Sequence, residues 1–166
     1  MSQLPLPMTP AQCLAHVVVP ALSLLGADRY DSPEARVLML AISGQESGLA
    51  YRRQVKGPAR GLWQFEQGGG VRGVLNHPST RSAAAALCKA RGVTATPAAV
   101  YAQLEHDDIL AAGFARLLLF TLPKRLPAIG NVSVAWAQYL DAWRPGKPHI
   151  NRWPACYRAA VEAVKA

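Results

Sequence analysis

Glu46 has the most unusual chemical setting in the chain. It closes the apolar run Val37-Leu38-Met39-Leu40-Ala41-Ile42 and is followed at once by the turn-prone Ser47-Gly48. On a helix advancing about 100° per residue it lies about 40° from Ile42 and about 20° from Met39, so its carboxylate emerges from the apolar stripe. Burying an ionised acid is costly. Desolvation raises its pKa, and the carbonyl dipoles at a helix C-terminus act in the same direction. A carboxyl that keeps its proton near neutral pH can protonate a leaving oxygen, which is general-acid chemistry. The bland alternative is that Glu46 bonds a loop backbone or pairs with an arginine such as Arg52 or Arg60.

Eleven residues further on comes Gly57-Pro58-Ala59-Arg60-Gly61-Leu62-Trp63-Gln64-Phe65. Together the two pieces resemble the lysozyme-like lytic transglycosylases, whose helix-terminal Glu-Ser is followed, after a similar interval, by Gly-Ala-x-Gly-Leu-(Met or Trp)-Gln. The ordered pair is far more specific than Glu-Ser-Gly alone. A fainter likeness lies in Ala135-Trp136-Ala137-Gln138-Tyr139, where Tyr139 stands for the tyrosine that the family places on a late helix opposite the glutamate. The resemblance spans about residues 37–143, with 68–103 unmatched. Leu140-Asp141-Ala142 replaces the family's common Asn-Ala-Gly, while Gly68-Gly69-Gly70 and Trp143-Arg144-Pro145-Gly146-Lys147-Pro148 fall outside the pattern.

The resemblance implies a lysozyme-like fold and cleavage of the β-1,4 bond between N-acetylmuramic acid and N-acetylglucosamine in peptidoglycan. Glu46 would protonate the glycosidic oxygen and then, as carboxylate, accept the proton of the muramic 6-hydroxyl as a 1,6-anhydro ring closes. It implies amide contacts from Gln64, sugar stacking on Trp63, and a phenol at Tyr139 that holds Glu46 or a substrate hydroxyl. Ser47 and Arg60, inside the two matched segments, are carried as substrate-contacting positions. A hydrolytic lysozyme would add a second carboxylate; the nearest is Glu66, with Asp107, Asp108 and Asp141 more remote in sequence. For Trp136, Tyr139 and Trp143 an aromatic core stripe is the competing reading. From another class, the chain is a non-catalytic helical module that binds cell wall or DNA.

Other chemistries find little support. His16, His77, His106 and His149 lack metal-ligand spacing, so no metal and no cofactor is expected. The triple glycine is not followed by Lys-Ser or Lys-Thr and reads as a lip to a cleft rather than a phosphate loop. Cys13, Cys88 and Cys156 are far apart and odd in number, which predicts free, buried thiols. Eighteen Lys and Arg against ten Asp and Glu give a net charge of +8. Such a balance favours an anionic partner, and the resemblance makes that partner the bacterial envelope rather than nucleic acid. The basic residues are scattered, never in a tail.

The start, Met1-Ser2-Gln3-Leu4-Pro5-Leu6-Pro7, has no basic stretch ahead of an apolar one, and Val17 to Leu25 is too short to span a bilayer. The expectation is therefore synthesis in the cytoplasm without an export signal, no transmembrane segment, a monomer, and action on the cell wall as a phage or virion-borne product.

These residues need a scaffold. At 166 residues, 51% hydrophobic and 17% charged, the chain suits one domain, residues 1–166, with a single core. Alanine and leucine abound and alternating β-branched runs are scarce, so a mostly α fold is predicted. Thr9-Pro10 opens a helix to about Leu25, with Pro20 as a kink; Ser32-Pro33-Glu34 opens a second to about Ser47, stopped by Gly48. Residues 49–77 read as a small loop or β-hairpin region. Helical patterns return over 79–91, 97–104 and 107–122, the last apolar almost all round and so central. From Asn131, the set Val132, Ala135, Trp136, Tyr139, Leu140 and Trp143 is fully amphipathic, and a final helix runs from about Asn151 or Pro154 to Val164.

Overall fold

A computed structural model of the chain describes residues 3–166; the Met1-Ser2 end of the N-terminal stretch discussed above lies outside them. The molecule is built from ten α-helices among these residues: α1 (Pro10–Cys13), α2 (Val19–Leu25), α3 (Ala27–Tyr30), α4 (Pro33–Ser47), α5 (Arg72–Asn76), α6 (Arg81–Ala90), α7 (Pro97–Gln103), α8 (Asp108–Phe120), α9 (Val132–Trp143) and α10 (Trp153–Lys165). The mostly α prediction holds. No described helix is long and apolar enough to cross a membrane.

Local chemistry explains where the helices start. The Thr9 hydroxyl accepts from Gln12 N while the Gln12 side chain answers to Thr9 N, a reciprocal capping box. Ser32, Asp107 and Asn131 each accept a backbone N–H three residues on, opening α4, α8 and α9. Gly48 closes α4 in the left-handed region at φ 61°. Pro20, which has no N–H to give, follows a five-residue π-helical stretch, Leu14–Val18, in which Val19 N reaches back to Leu14 O. The expected kink is taken up as a widened turn that joins α1 to α2.

α8 runs through the centre, with Leu110, Ala112, Phe114, Ala115 and Leu117 all without exposure. Even its one cation is enclosed. The Arg116 guanidinium donates to Tyr30 O at 2.8 Å and lies 5.7 Å from the ring centres of both Tyr30 and Phe120. Burial lowers its pKa to about 10. α10 packs along α4, and the close approach needs Gly44, where an added Cβ would meet the Cβ and Sγ of Cys156 at 3.4 Å. Cys13, Cys88 and Cys156 are free; the first two are buried and the third is half-buried.

Of the two alternatives for the region after α4, loop or hairpin, the structure shows loop. Residues 49–66 form turns held by two isolated antiparallel bridges, Arg53 with Arg60 and Arg60 with Phe65, and no sheet occurs among the described residues. The glycine run continues into a π-helical turn, Gln67–Val71, which leads directly into α5. Glycine-rich sequence carries no periodicity, so this helical turn was invisible to pattern reading. Helix α3 escaped for a different reason: four residues are too few to show a period.

Candidate functional site

The last turn of α4 brings Glu46 into the lining of a cleft of about 990 Å³, with walls from α4, the 49–66 loop, the glycine turn, the end of α8, α9 and the loop that follows it to Arg152. Tyr139 from α9 donates its phenol to Glu46 Oε1 at 2.5 Å. Burial lifts the Glu46 carboxyl from its ordinary 4.5 to about 7, even though the Tyr139 hydrogen bond and the positive charge of Arg152 both favour ionisation. Desolvation is the larger effect. The same burial, reinforced by the neighbouring carboxylate, raises the Tyr139 phenol, so tyrosine keeps its proton and acts as the donor. With Oε1 occupied by the phenol, the carboxyl proton belongs on Oε2.

Tyr139 is itself fixed by aromatic packing. Its ring stacks on Trp153 at 5.5 Å and 10°, with Trp136 at 5.3 Å and Trp143 at 6.2 Å. The aromatic stripe read in α9 is thus part of the packing, and its tyrosine also reaches the acid. Trp143 continues the chain of contacts: its indole donates to Trp63 O at 2.9 Å and meets the Phe65 ring edge-on at 5.7 Å.

Glu46 forms no ion pair with Arg52 or Arg60. Arg52 is bidentate to Asp108 at 2.8 and 2.7 Å. Arg60 donates to Gly57 O and Ala59 O and lies over the Tyr101 ring. It braces the loop and is not among the residues that line the cleft, where the expectation had put it.

Two more expectations are corrected. Trp63 is 1% exposed and its indole donates to Met39 O at 2.9 Å, leaving no free face for a sugar. Ser47 is also buried. Its hydroxyl lies 2.7 Å from Leu62 O and 3.1 Å from Ser43 O, and accepts from Leu49 N. Both residues pin the 49–66 loop onto α4. Burying the Trp63 ring removes a large apolar surface from water while its N–H keeps a partner, and the Ser47 hydroxyl gives Leu62 O a donor.

Gln64 and Glu66 do line the cleft. Gln64 takes a left-handed backbone, φ 52°, and its amide donates to Gly61 O at 2.8 Å. Gly61 makes this turn possible. At φ 79°, any Cβ there would stand 3.1 Å from Leu104 O. Glu66 is exposed and makes no ion pair among the described residues. The more remote acids are committed elsewhere: Asp107 caps α8 and binds Arg91, Asp108 holds Arg52, and Asp141 pairs with Lys124 at 2.7 Å.

Three contributors escaped the sequence reading. Tyr51 donates to Glu46 O at 2.9 Å, satisfying a carbonyl at the helix end. Arg152 donates to Gly44 O at 3.2 Å, a cation at the C-terminus of α4. Gln45 is 5% exposed and ties the cleft wall by donating to His149 O at 2.8 Å, while its own amide oxygen is enclosed without a donor.

Comparison of the chain with protein-family models, curated proteins and solved structures gives no match. The functional reading therefore rests on the residues and their geometry.

Proposed function

We propose that the chain is a lysozyme-like glycosidase that cleaves the β-1,4 bond between N-acetylmuramic acid and N-acetylglucosamine in peptidoglycan, with Glu46 as the acid and then the base. The carrying observation is the Glu46–Tyr139 pair: a buried carboxyl with a pKa near 7, oriented by a phenol at 2.5 Å, in the lining of an open cleft. A carboxyl so poised is part protonated at neutral pH and can both give and take a proton. The resemblance of the Glu46-Ser47 and Gly57–Phe65 segments to the lytic transglycosylases supplies the substrate.

In this mechanism Oε2 of Glu46 delivers its proton to the glycosidic oxygen as the C1–O bond breaks. Positive charge then develops at C1, and the new carboxylate, steadied by the Tyr139 hydroxyl and the Arg152 charge, offsets it. The muramic 6-hydroxyl oxygen bonds to C1, and its proton returns to Glu46, closing the 1,6-anhydro ring without net consumption of water. Gln64, its amide fixed by Gly61, contacts N-acetyl groups along the cleft.

Glu66 favours a second reading. It lines the same cleft without a cationic partner, so it could activate water, which would make the enzyme a hydrolytic lysozyme. Mass spectrometry of a digest of purified peptidoglycan separates the two: 1,6-anhydro ends are expected, and reducing ends would assign hydrolysis instead. Intact glycan strands after prolonged incubation with wild-type protein would refute both.

A further inference from the structure

The cleft is asymmetric in charge. The wall formed by the end of α9, the following loop and the lead-in to α10 contributes Arg144, Lys147 and Arg152. None of the three forms an ion pair with a carboxylate among the described residues. Asp141 lines the same wall but is held by Lys124 at 2.7 Å, and the Glu46 carboxyl, on which the Arg152 charge acts, is kept largely protonated below about 7 by burial. The rest of the lining includes Gln54, Gln64, Glu66, His77 and the glycine turn, and Glu66 is the one carboxylate among these.

The wall is also held in shape. Arg144 leaves α9 in a left-handed conformation, φ 49°. Pro145 and Pro148 restrict the backbone on either side of Gly146-Lys147. Trp143 anchors one end to Trp63 O, Gln45 anchors the other through His149 O, and Arg152 is tied to Gly44 O. Long cationic side chains on a braced loop lose less freedom on binding than they would on a slack one. Neutral sugar hydroxyls can accept hydrogen bonds from these side chains, but only an anion would neutralise the charges of Arg144 and Lys147.

From this wall we infer that Arg144, Lys147 and Arg152 form an anion-binding subsite, which selects glycan strands carrying negative substituents over neutral ones. The shared chemistry is an oxyanion, either the carboxylates of the lactyl-peptide side chains or the phosphates of polymers attached to the strand. This assignment rests on the glycosidase reading for its substrate, but the anion subsite itself can be tested by binding alone.

The test uses four preparations of insoluble peptidoglycan: native, carboxyl-amidated, phosphate-stripped, and both amidated and stripped. Cosedimentation and cleavage are measured for wild-type protein and for the double variant Arg144→Gln/Lys147→Gln at low salt. Wild type should bind and cleave native strands roughly 3–10-fold better than doubly neutralised ones through KM, as exposed charge pairs allow. The gap between the two proteins should close on the neutralised strands. Loss on amidation alone assigns carboxylates; loss on stripping alone assigns phosphates. Equal binding of all four preparations by wild type, or undiminished native binding by the double variant, overturns the subsite. Charge-dependent binding without any cleavage would keep the subsite and refute the glycosidase. Equal loss with double-stranded DNA as competitor at stoichiometric amounts would move the wall to nucleic acid and overturn the assignment.

Discussion

Replacing Glu46 by glutamine should abolish cleavage and at the same time stabilise the fold above neutral pH. The side chains are nearly isosteric, and the amide oxygen of glutamine can still accept the Tyr139 hydroxyl, so the cleft keeps its shape. In the wild type, Glu46 titrates at about 7 when folded and near its ordinary 4.5 when unfolded. Between those values the folded state holds a proton that the unfolded state has released. Rising pH therefore favours unfolding across this window, and the effect is complete above pH 7. A separation of this size corresponds to roughly 3 kcal/mol. The variant has no such slope. Relative to wild type it should gain little at pH 4 and roughly 3 kcal/mol at pH 8, a Tm rise of roughly 6–12 °C for a chain of this size. Loss of the general acid should lower turnover by at least about 100-fold. Urea unfolding and thermal melts at both pH values, with a peptidoglycan digest in parallel, read the two effects independently. A pH-independent stability difference would mean that Glu46 is not held protonated by burial, and the reasoning would fail even if activity were lost.

Further variants separate roles in the site and in the core. Wild-type kcat/KM should fall as pH rises through about 7, because the protonated acid is the active form. In Tyr139→Phe the hydrogen bond favouring ionisation is gone, so that limb should move to higher pH while turnover drops; a limb moving to lower pH would contradict the donor assignment. Ser47→Ala should cost roughly 1–3 kcal/mol, since Leu62 O loses a buried donor, with KM little changed; a raised KM at unchanged stability would return Ser47 to the substrate. Gly113→Ala should destabilise by roughly 1–3 kcal/mol, because its Cβ would lie 2.3 Å from Cδ2 of Leu87, itself 2% exposed. Denaturant melts should show Leu87→Ala relieving part of that cost, and strict additivity would argue against the clash.

Much of the site's logic could be read from Glu46 alone. Its place on the apolar side of α4 followed from helical angles, and Gly48 and Ser32 marked the ends of the helix that carries it. The Gly57–Phe65 segment, singled out by its spacing from Glu46, docks on α4 through Trp63 and Ser47, yet its residues divide: Gln64 lines the cleft, whereas Trp63 turns into the core and Arg60 toward Tyr101. A turn with left-handed residues at Gly61 and Gln64 sends neighbouring side chains to opposite sides, and no periodicity records that choice.

The sequence by itself determined what depends on near neighbours: helix starts at Thr9, Ser32, Asp107 and Asn131, the apolar surround of α8, and an acid emerging from a hydrophobic stripe. Capping bonds and helical faces operate over three or four residues, so they can be counted along the chain. Only the tertiary structure decided that Tyr139, 93 residues away, would meet Glu46, that Arg52 would go to Asp108 instead, and that Arg144 and Lys147, with no ion-pair partner among the described residues, would share a cleft wall with Arg152. Those pairings depend on how helices pack and which charges can be desolvated together, quantities that arise only when distant parts of the chain come into contact.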